Sequence, residues 1–175
     1  FIVAHASADP EALATAIVRG GFEYQGQKCS AASRIYVPQS LWPRVRELTL
    51  GMMEQIRVGD VSDFRNFMGA VIDRKAFDKI TGYIKHAQQA PNVEVIAGGT
   101  WDDSAGYFIQ PTLVQVQDSA YQLMCEEVFG PVVALYVYPD AEWEQTLTLV
   151  DQTSPYALTG AVFANDRGAL VQADR

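Results

Sequence analysis

Cys29 stands in a stretch suited to thiol chemistry, Gly26-Gln27-Lys28-Cys29-Ser30-Ala31-Ala32-Ser33. A nucleophilic sulfur needs room around it and a field that favours thiolate over thiol. Small residues at 30 to 33 leave that room. Lys28 adds a positive charge, which would lower the thiol pKa if it points inward. Gly26 can close a helix with a positive φ just ahead of the cysteine. The bland alternative is a buried, inert cysteine, the commoner fate of this residue.

A second block, Glu126-Glu127-Val128-Phe129-Gly130-Pro131, places Glu127 98 positions after the cysteine (127 against 29). An ionised carboxylate there could accept hydrogen bonds from ligand hydroxyls. The alternative is a solvated acidic turn with Phe129 in the core. Cys125 reads as a packed thiol. His5 and His86 have no cysteine or carboxylate set at ligand spacing, so no metal site is expected. No G-x-G-x-x-G occurs, and neither Gly20-Gly21 nor Gly98-Gly99 reads as a phosphate loop.

The elements that must carry these residues follow from local signals. Phe1 to Ala4 reads as a buried strand. Asp9-Pro10-Glu11 starts a helix, with an N-cap acid and proline in the first turn. Leu13, Ile17 and Tyr24 fall on one face of it. Gly20-Gly21 either breaks that helix or lets it pack closely against a neighbour. Ile35-Tyr36-Val37 is a strand. Ser40 is placed to cap a helix carrying Val45, Leu48, Met52 and Ile56, which Val58-Gly59-Asp60 stops. Residues 60 to 72 form a loop tucked down by Phe64, Phe67 and Met68. Asp73 caps a helix with Phe77, Ile80, Ile84 and Ala87 on one face.

Val93 to Ile96 is a strand and Gly98-Gly99 a turn. Tyr107 to Val116 is a strand that Pro111 puts at an edge or bends. Val132 to Tyr138 is apolar enough for a strand covered on both faces. Asp140 caps a helix with Trp143, Leu147 and Val150. Thr159 to Ala164 is another buried strand, and Asp166 starts a last helix. Strands alternating with helices predict an α/β fold, three layers deep, with a mostly parallel sheet and helices on both faces.

Composition narrows the function classes. A net charge of -8 argues against nucleic acid or an anionic membrane as partner, since both favour a basic surface. No apolar run reaches the roughly 20 residues of a membrane span. Two cysteines make no disulfide framework and fit a reducing compartment. The chain opens on Phe1 and stops on Arg175 inside a helical pattern, so both ends read as cuts within a longer protein.

Gly26-Gln27-Lys28-Cys29-Ser30-Ala31 with Ser33-Arg34-Ile35-Tyr36-Val37 resembles the catalytic-cysteine signature of the aldehyde dehydrogenase superfamily. Glu126-Glu127-Val128-Phe129-Gly130-Pro131-Val132 resembles that family's other hallmark. Ala97-Gly98-Gly99 and Gly106-Tyr107-Phe108-Ile109-Gln110-Pro111-Thr112 match its connecting pattern. The four motifs fall in the family's order along nearly the whole chain.

The resemblance implies an incomplete catalytic domain over 1–175, without most of the NAD-binding domain and the oligomerisation segment. It implies Cys29 as nucleophile, forming a thiohemiacetal that loses hydride to NAD(P)+ and leaves a thioester for water to hydrolyse. The backbone N–H of Cys29 becomes an oxyanion donor. Glu127 becomes the acceptor for the nicotinamide ribose hydroxyls, and Phe129 the aromatic beside the nicotinamide; Glu126 is left as structural. NAD is the expected cofactor and a small-molecule aldehyde the substrate.

The family's general-base glutamate and oxyanion asparagine are expected upstream of Phe1, and the full-length form is expected to be a homo-oligomer. The expected compartment is the cytoplasm of a bacterium or the mitochondrial matrix of a eukaryote. Branch-level wording at 22–31, 137–140 and 156–163 resembles members acting on L-glutamate γ-semialdehyde. There Ser30 either donates to the substrate carboxylate or only steadies its own loop. Two rivals stay open: a family member with another aldehyde, and a catalytically silent one kept for assembly or binding.

Overall fold

The computed structural model describes residues 1–155 and 158–174. Tyr156 and Ala157 of the branch wording, and Arg175, lie outside the described residues. The main sheet has six strands in the order β3-β6-β7-β2-β1-β8. These are β1 (Ile2–Ala4), β2 (Arg34–Pro38), β3 (Val93–Ala97), β6 (Thr112–Val116), β7 (Val132–Tyr138) and β8 (Ala161–Phe163). Every pairing is parallel except β3 on β6. A small antiparallel pair, β4 (Trp101–Asp102) with β5 (Phe108–Ile109), stands apart from it.

Strand alternation divides the core into two layers. Ile2, Ile35, Val37, Leu113, Val133 and Leu135 point to one face, where Leu13, Ile17 and Phe22 of α1 (Pro10–Phe22) and Val45 of α2 (Trp42–Met53) cover them. Val3, Tyr36, Val114, Val132, Ala134 and Tyr138 point to the other. There they meet Phe77, Ile80 and Ile84 of α3 (Arg74–Gln89) and Leu123 of α4 (Gln122–Cys125). Trp143 and Val150 of α5 (Trp143–Thr153) and Ala169 of α6 (Arg167–Ala173) complete that layer. The expected three-layer α/β architecture is the observed one.

Local capping chemistry explains three helix starts. Asp9, Asp73 and Asp166 each accept from a backbone N–H in the first turn, at 2.8 Å from Ala12, 2.7 Å from Ala76 and 2.6 Å from Gly168. The other two expected caps fail for one shared reason. The backbone N–H of Ser40 donates to Oδ1 of Asp140 at 2.9 Å, so these residues pin two chain segments to each other. The Ser40 hydroxyl, and after it this backbone N–H, hold the Asp140 carboxyl below the usual range, because both hydrogen-bond its ionised form.

Other expectations need correction. α1 runs through Gly20-Gly21 but stops at Phe22, so Tyr24 is not on its face and is 72% exposed. α2 ends at Met53, before Val58, and its buried spine is Val45, Thr49 and Met53. Phe64 is 100% exposed and does not tuck the loop, while Met68 is buried and Phe67 packs against the core as expected. Pro111 interrupts the expected long strand, leaving β5 and β6 as separate pieces. β8 is an edge strand with an exposed Val162, not a buried one.

The helical glycines separate by what surrounds them. A methyl on Gly21 would run into the side chain of Val133, whereas one on Gly82 of α3 would meet nothing within 4 Å. Gly21→Ala is therefore expected to destabilise by about 1–3 kcal/mol through overpacking. Gly82→Ala is expected to stabilise by about 0.5–1 kcal/mol, by lowering the entropy lost on folding. Urea unfolding followed by circular dichroism should shift the two midpoints in opposite directions. A Gly21→Ala midpoint at or above wild type would mean that α1 does not need this approach to β7.

Candidate active site

After Phe22 the chain leaves α1 through Tyr24, Gln25 and Gly26, with φ of 52°, 60° and 63°. Three successive left-handed residues, two of them not glycine, form a strained exit. Gly26 is held against the backbone carbonyl of Gly130, which a Cβ at 26 would overlap. This contact joins the cysteine loop to the block at 126–130. The Gln27 side chain ties in the third segment, its Oε1 accepting from the Ile72 N–H at 2.9 Å.

Cys29 sits at the tip of this loop with its side chain exposed. The Ala31 N–H donates to the Lys28 carbonyl at 3.0 Å and closes a turn around it. The Cys29 N–H has no acceptor among the described residues, as an oxyanion donor requires. Lys28 does not serve the thiol as expected. Its Nζ lies 3.4 Å from Glu23 Oε2 and 5.4 Å from the centroid of the Tyr24 ring. Cys125, by contrast, donates its Sγ–H to the Ala120 carbonyl at 3.4 Å, and burial pushes its thiol pKa up. A raised thiol pKa suits a packed residue and not a nucleophile.

Cys29, Glu127 and Phe129 line one cavity of about 350 Å³, floored by Ala32, Met124 and Val132. Glu127 is exposed, and its carboxylate has no partner among the described residues. Phe129 is 42% exposed with φ 58°, so its ring stands out from the loop in a conformation unusual for a non-glycine residue. Val128 between them is buried and anchors the turn. An open carboxylate and a projecting aromatic ring in one cavity with a thiol could hold a planar heteroaromatic with ribose hydroxyls.

Ser30 is not part of this cavity. It lines a neighbouring recess with Ala16, Gly20 and Thr159, and its carbonyl accepts from the Thr159 hydroxyl at 3.5 Å. Two residues near the site escaped the sequence reading. Lys79 Nζ donates to the Glu127 carbonyl at 2.8 Å, and the Tyr83 hydroxyl donates to Glu126. The available signal was a pair of donors four residues apart, beside the buried face of α3. Each histidine has a hydrogen-bond partner, His5 in Ser7 at 2.9 Å and His86 in Tyr121 at 2.8 Å. Among the described residues no metal-binding cluster of His, Cys, Asp or Glu occurs, and no helix is long and apolar enough to cross a membrane.

A mostly parallel sheet covered on both faces thus carries an exposed cysteine and an acidic-aromatic loop that line one cavity. The chain belongs to the aldehyde dehydrogenase family, whose model matches residues 1–175. Within it, the chain is 48% identical over 176 residues to the mitochondrial Delta-1-pyrroline-5-carboxylate dehydrogenase of Danio rerio, covering 100% of this chain and 32% of that protein. It is 47% identical to the Homo sapiens protein of the same name, over 100% of this chain and 31% of that one.

Among solved structures, the Delta-pyrroline-5-carboxylate dehydrogenase of Mycobacterium tuberculosis bound with NAD superimposes with a TM-score of 0.91 at 47% identity, over 99% of this chain and 31% of that one. Betaine aldehyde dehydrogenase from Staphylococcus aureus, in complex with NAD+, gives 0.88 at 30% identity, over 99% and 34%. The chain thus spans about a third of the length of the curated relatives it matches.

Proposed function

We propose that these 175 residues are the cysteine-bearing part of a full-length enzyme that oxidises an aldehyde to a carboxylic acid with NAD+. The proposed aldehyde is L-glutamate γ-semialdehyde, in equilibrium with pyrroline-5-carboxylate, and the product is glutamate. The observation that carries this reading is the shared cavity of the Cys29 thiol, the Glu127 carboxylate and the Phe129 ring. The names of the 46–48% identical relatives support the substrate.

In this reading the Cys29 thiolate adds to the aldehyde carbon, forming a C–S bond and placing negative charge on the oxygen beside the Cys29 N–H. Glu127 holds the nicotinamide ribose and Phe129 flanks the ring, so that the cofactor faces the sulfur. Bound NAD+ supplies the hydride acceptor. What remains on Cys29 is a thioester, which a water activated by a carboxylate outside these residues would hydrolyse, freeing the thiol.

The proposed compartment is the mitochondrial matrix in a eukaryote and the cytoplasm in a bacterium. The word mitochondrial in the relatives' names supports the first. A homo-oligomer belongs to the same proposal.

Comparison of kcat/KM for the semialdehyde, propanal and hexanal in the full-length protein tests the substrate. The semialdehyde is expected to lead; a preference for hexanal would replace it with an apolar aldehyde. Ser30→Ala separates the two roles open to Ser30. A fall in the semialdehyde preference would give it the substrate carboxylate. An unchanged preference would leave it steadying the loop, as its place outside the cavity favours.

A further inference from the structure

The block at 126–130 is clamped from one side by a single helix. Across little more than one turn of α3, Lys79 holds the Glu127 carbonyl at 2.8 Å, Tyr83 holds the Glu126 carboxylate, and Ile80 packs under Gly130 so closely that a Cβ there would overlap it. All three contacts fall on the backbone or flanks of the loop. None engages the Glu127 carboxylate or the Phe129 ring, the two groups left facing the cavity. Between the clamped points Phe129 keeps a φ of 58°, which a free loop would relax.

We propose that Lys79 is a positioning residue for cofactor binding: by fixing the Glu127 carbonyl it aims the Glu127 carboxylate into the cleft. This rests on the reading of Glu127 given above. The charge-assisted bond from an ammonium to a carbonyl is stronger than a neutral one, and its loss frees the peptide that carries the Glu127 carboxylate. The lysine acts through the loop and does not itself bind the ligand. Its effect therefore vanishes when the carboxylate it aims is already gone.

The test is a double-mutant cycle in the full-length protein, read as KM for NAD+ and as the deuterium isotope effect on kcat with a deuterated aldehyde. Lys79→Met is expected to raise KM for NAD+ by about five- to tenfold, with Lys79→Arg recovering most of it because it keeps a charged donor. In the Glu127→Gln background, Lys79→Met should add less than about twofold, since coupled residues are not additive. The melting temperature of Lys79→Met should stay close to wild type, because the lysine is exposed.

An additive effect in the double variant would overturn the proposal, showing direct contact with the cofactor or general damage. A Lys79→Met protein with wild-type KM for NAD+ would overturn it as well, provided that Glu127→Gln raises KM. If Glu127→Gln itself leaves KM and the isotope effect unchanged, the cofactor reading of that loop falls and this proposal falls with it.

Discussion

Cys29→Ala in the full-length protein is expected to lose aldehyde oxidation by about a thousandfold or more while binding NAD+ within a few fold of wild type. The size of the effect follows from what the side chain does. Without sulfur no C–S bond forms, and hydride must leave a hydrated aldehyde that nothing in the cavity holds in place. Cys29 is exposed at the tip of its turn and supports no core packing, so stability should be unchanged. Cys125→Ala serves as the comparison, because that thiol is packed and bonded to Ala120. Turnover of Cys29→Ala above about a hundredth of wild type would remove the nucleophile assignment, since covalent catalysis should be worth more than that.

Gly26→Ala is expected to cost about a hundredfold in activity without touching any reacting group. The position has φ +63°, where a Cβ costs about 1–2 kcal/mol. The same Cβ would overlap the Gly130 carbonyl, with the Gly21 carbonyl also too near at 2.9 Å. Backbone cannot swing aside as a side chain can, so the cysteine loop and the 126–130 loop must part. Displacing catalytic groups by about 1 Å can cost a hundredfold, and kcat/KM should fall by about that factor while the circular dichroism spectrum stays native. Gly51→Ala, in α2 with nothing within 4 Å, should leave kcat/KM unchanged. Wild-type kcat/KM in Gly26→Ala would mean that this contact does not set the distance between the two loops.

The sequence was most legible where structure is decided within a few residues. The Asp9, Asp73 and Asp166 caps need only their own first turns, and each stands where expected. The apolar faces of α3 and of the central strand β7 were also readable, because a helix or strand buried against a sheet must repeat its apolar residues. The misses share a cause. Ser40 and Asp140 have the chemistry of caps but bond to each other across 100 positions. Tyr24 continues a helical spacing that the chain abandons two residues earlier, where it turns left-handed toward Gly130. Lys28 looked like a thiol's cation until Glu23, five residues back, took it.

The site was legible by resemblance more than by residue chemistry. Gly26, Cys29, Glu127 and Phe129 have no pattern that links them without the family's motif order. What joins them in space is the close passage of two loops, which only tertiary packing reveals. Lys79 and Tyr83 had no such motif, and their partners lie more than 40 positions away.

In the proposed reaction the Cys29 sulfur carries the substrate as an acyl group within the cavity it shares with Glu127 and Phe129. Rapid acid quenching during the first turnover of semialdehyde with NAD+, followed by digestion and mass spectrometry, tests it most directly. A glutamyl thioester is expected on the peptide containing Cys29, rising with the burst of NADH and falling as glutamate appears. A burst of NADH with the acyl mass on Cys125 or any other residue, or with no acyl group on Cys29 at any time in the turnover, would contradict it.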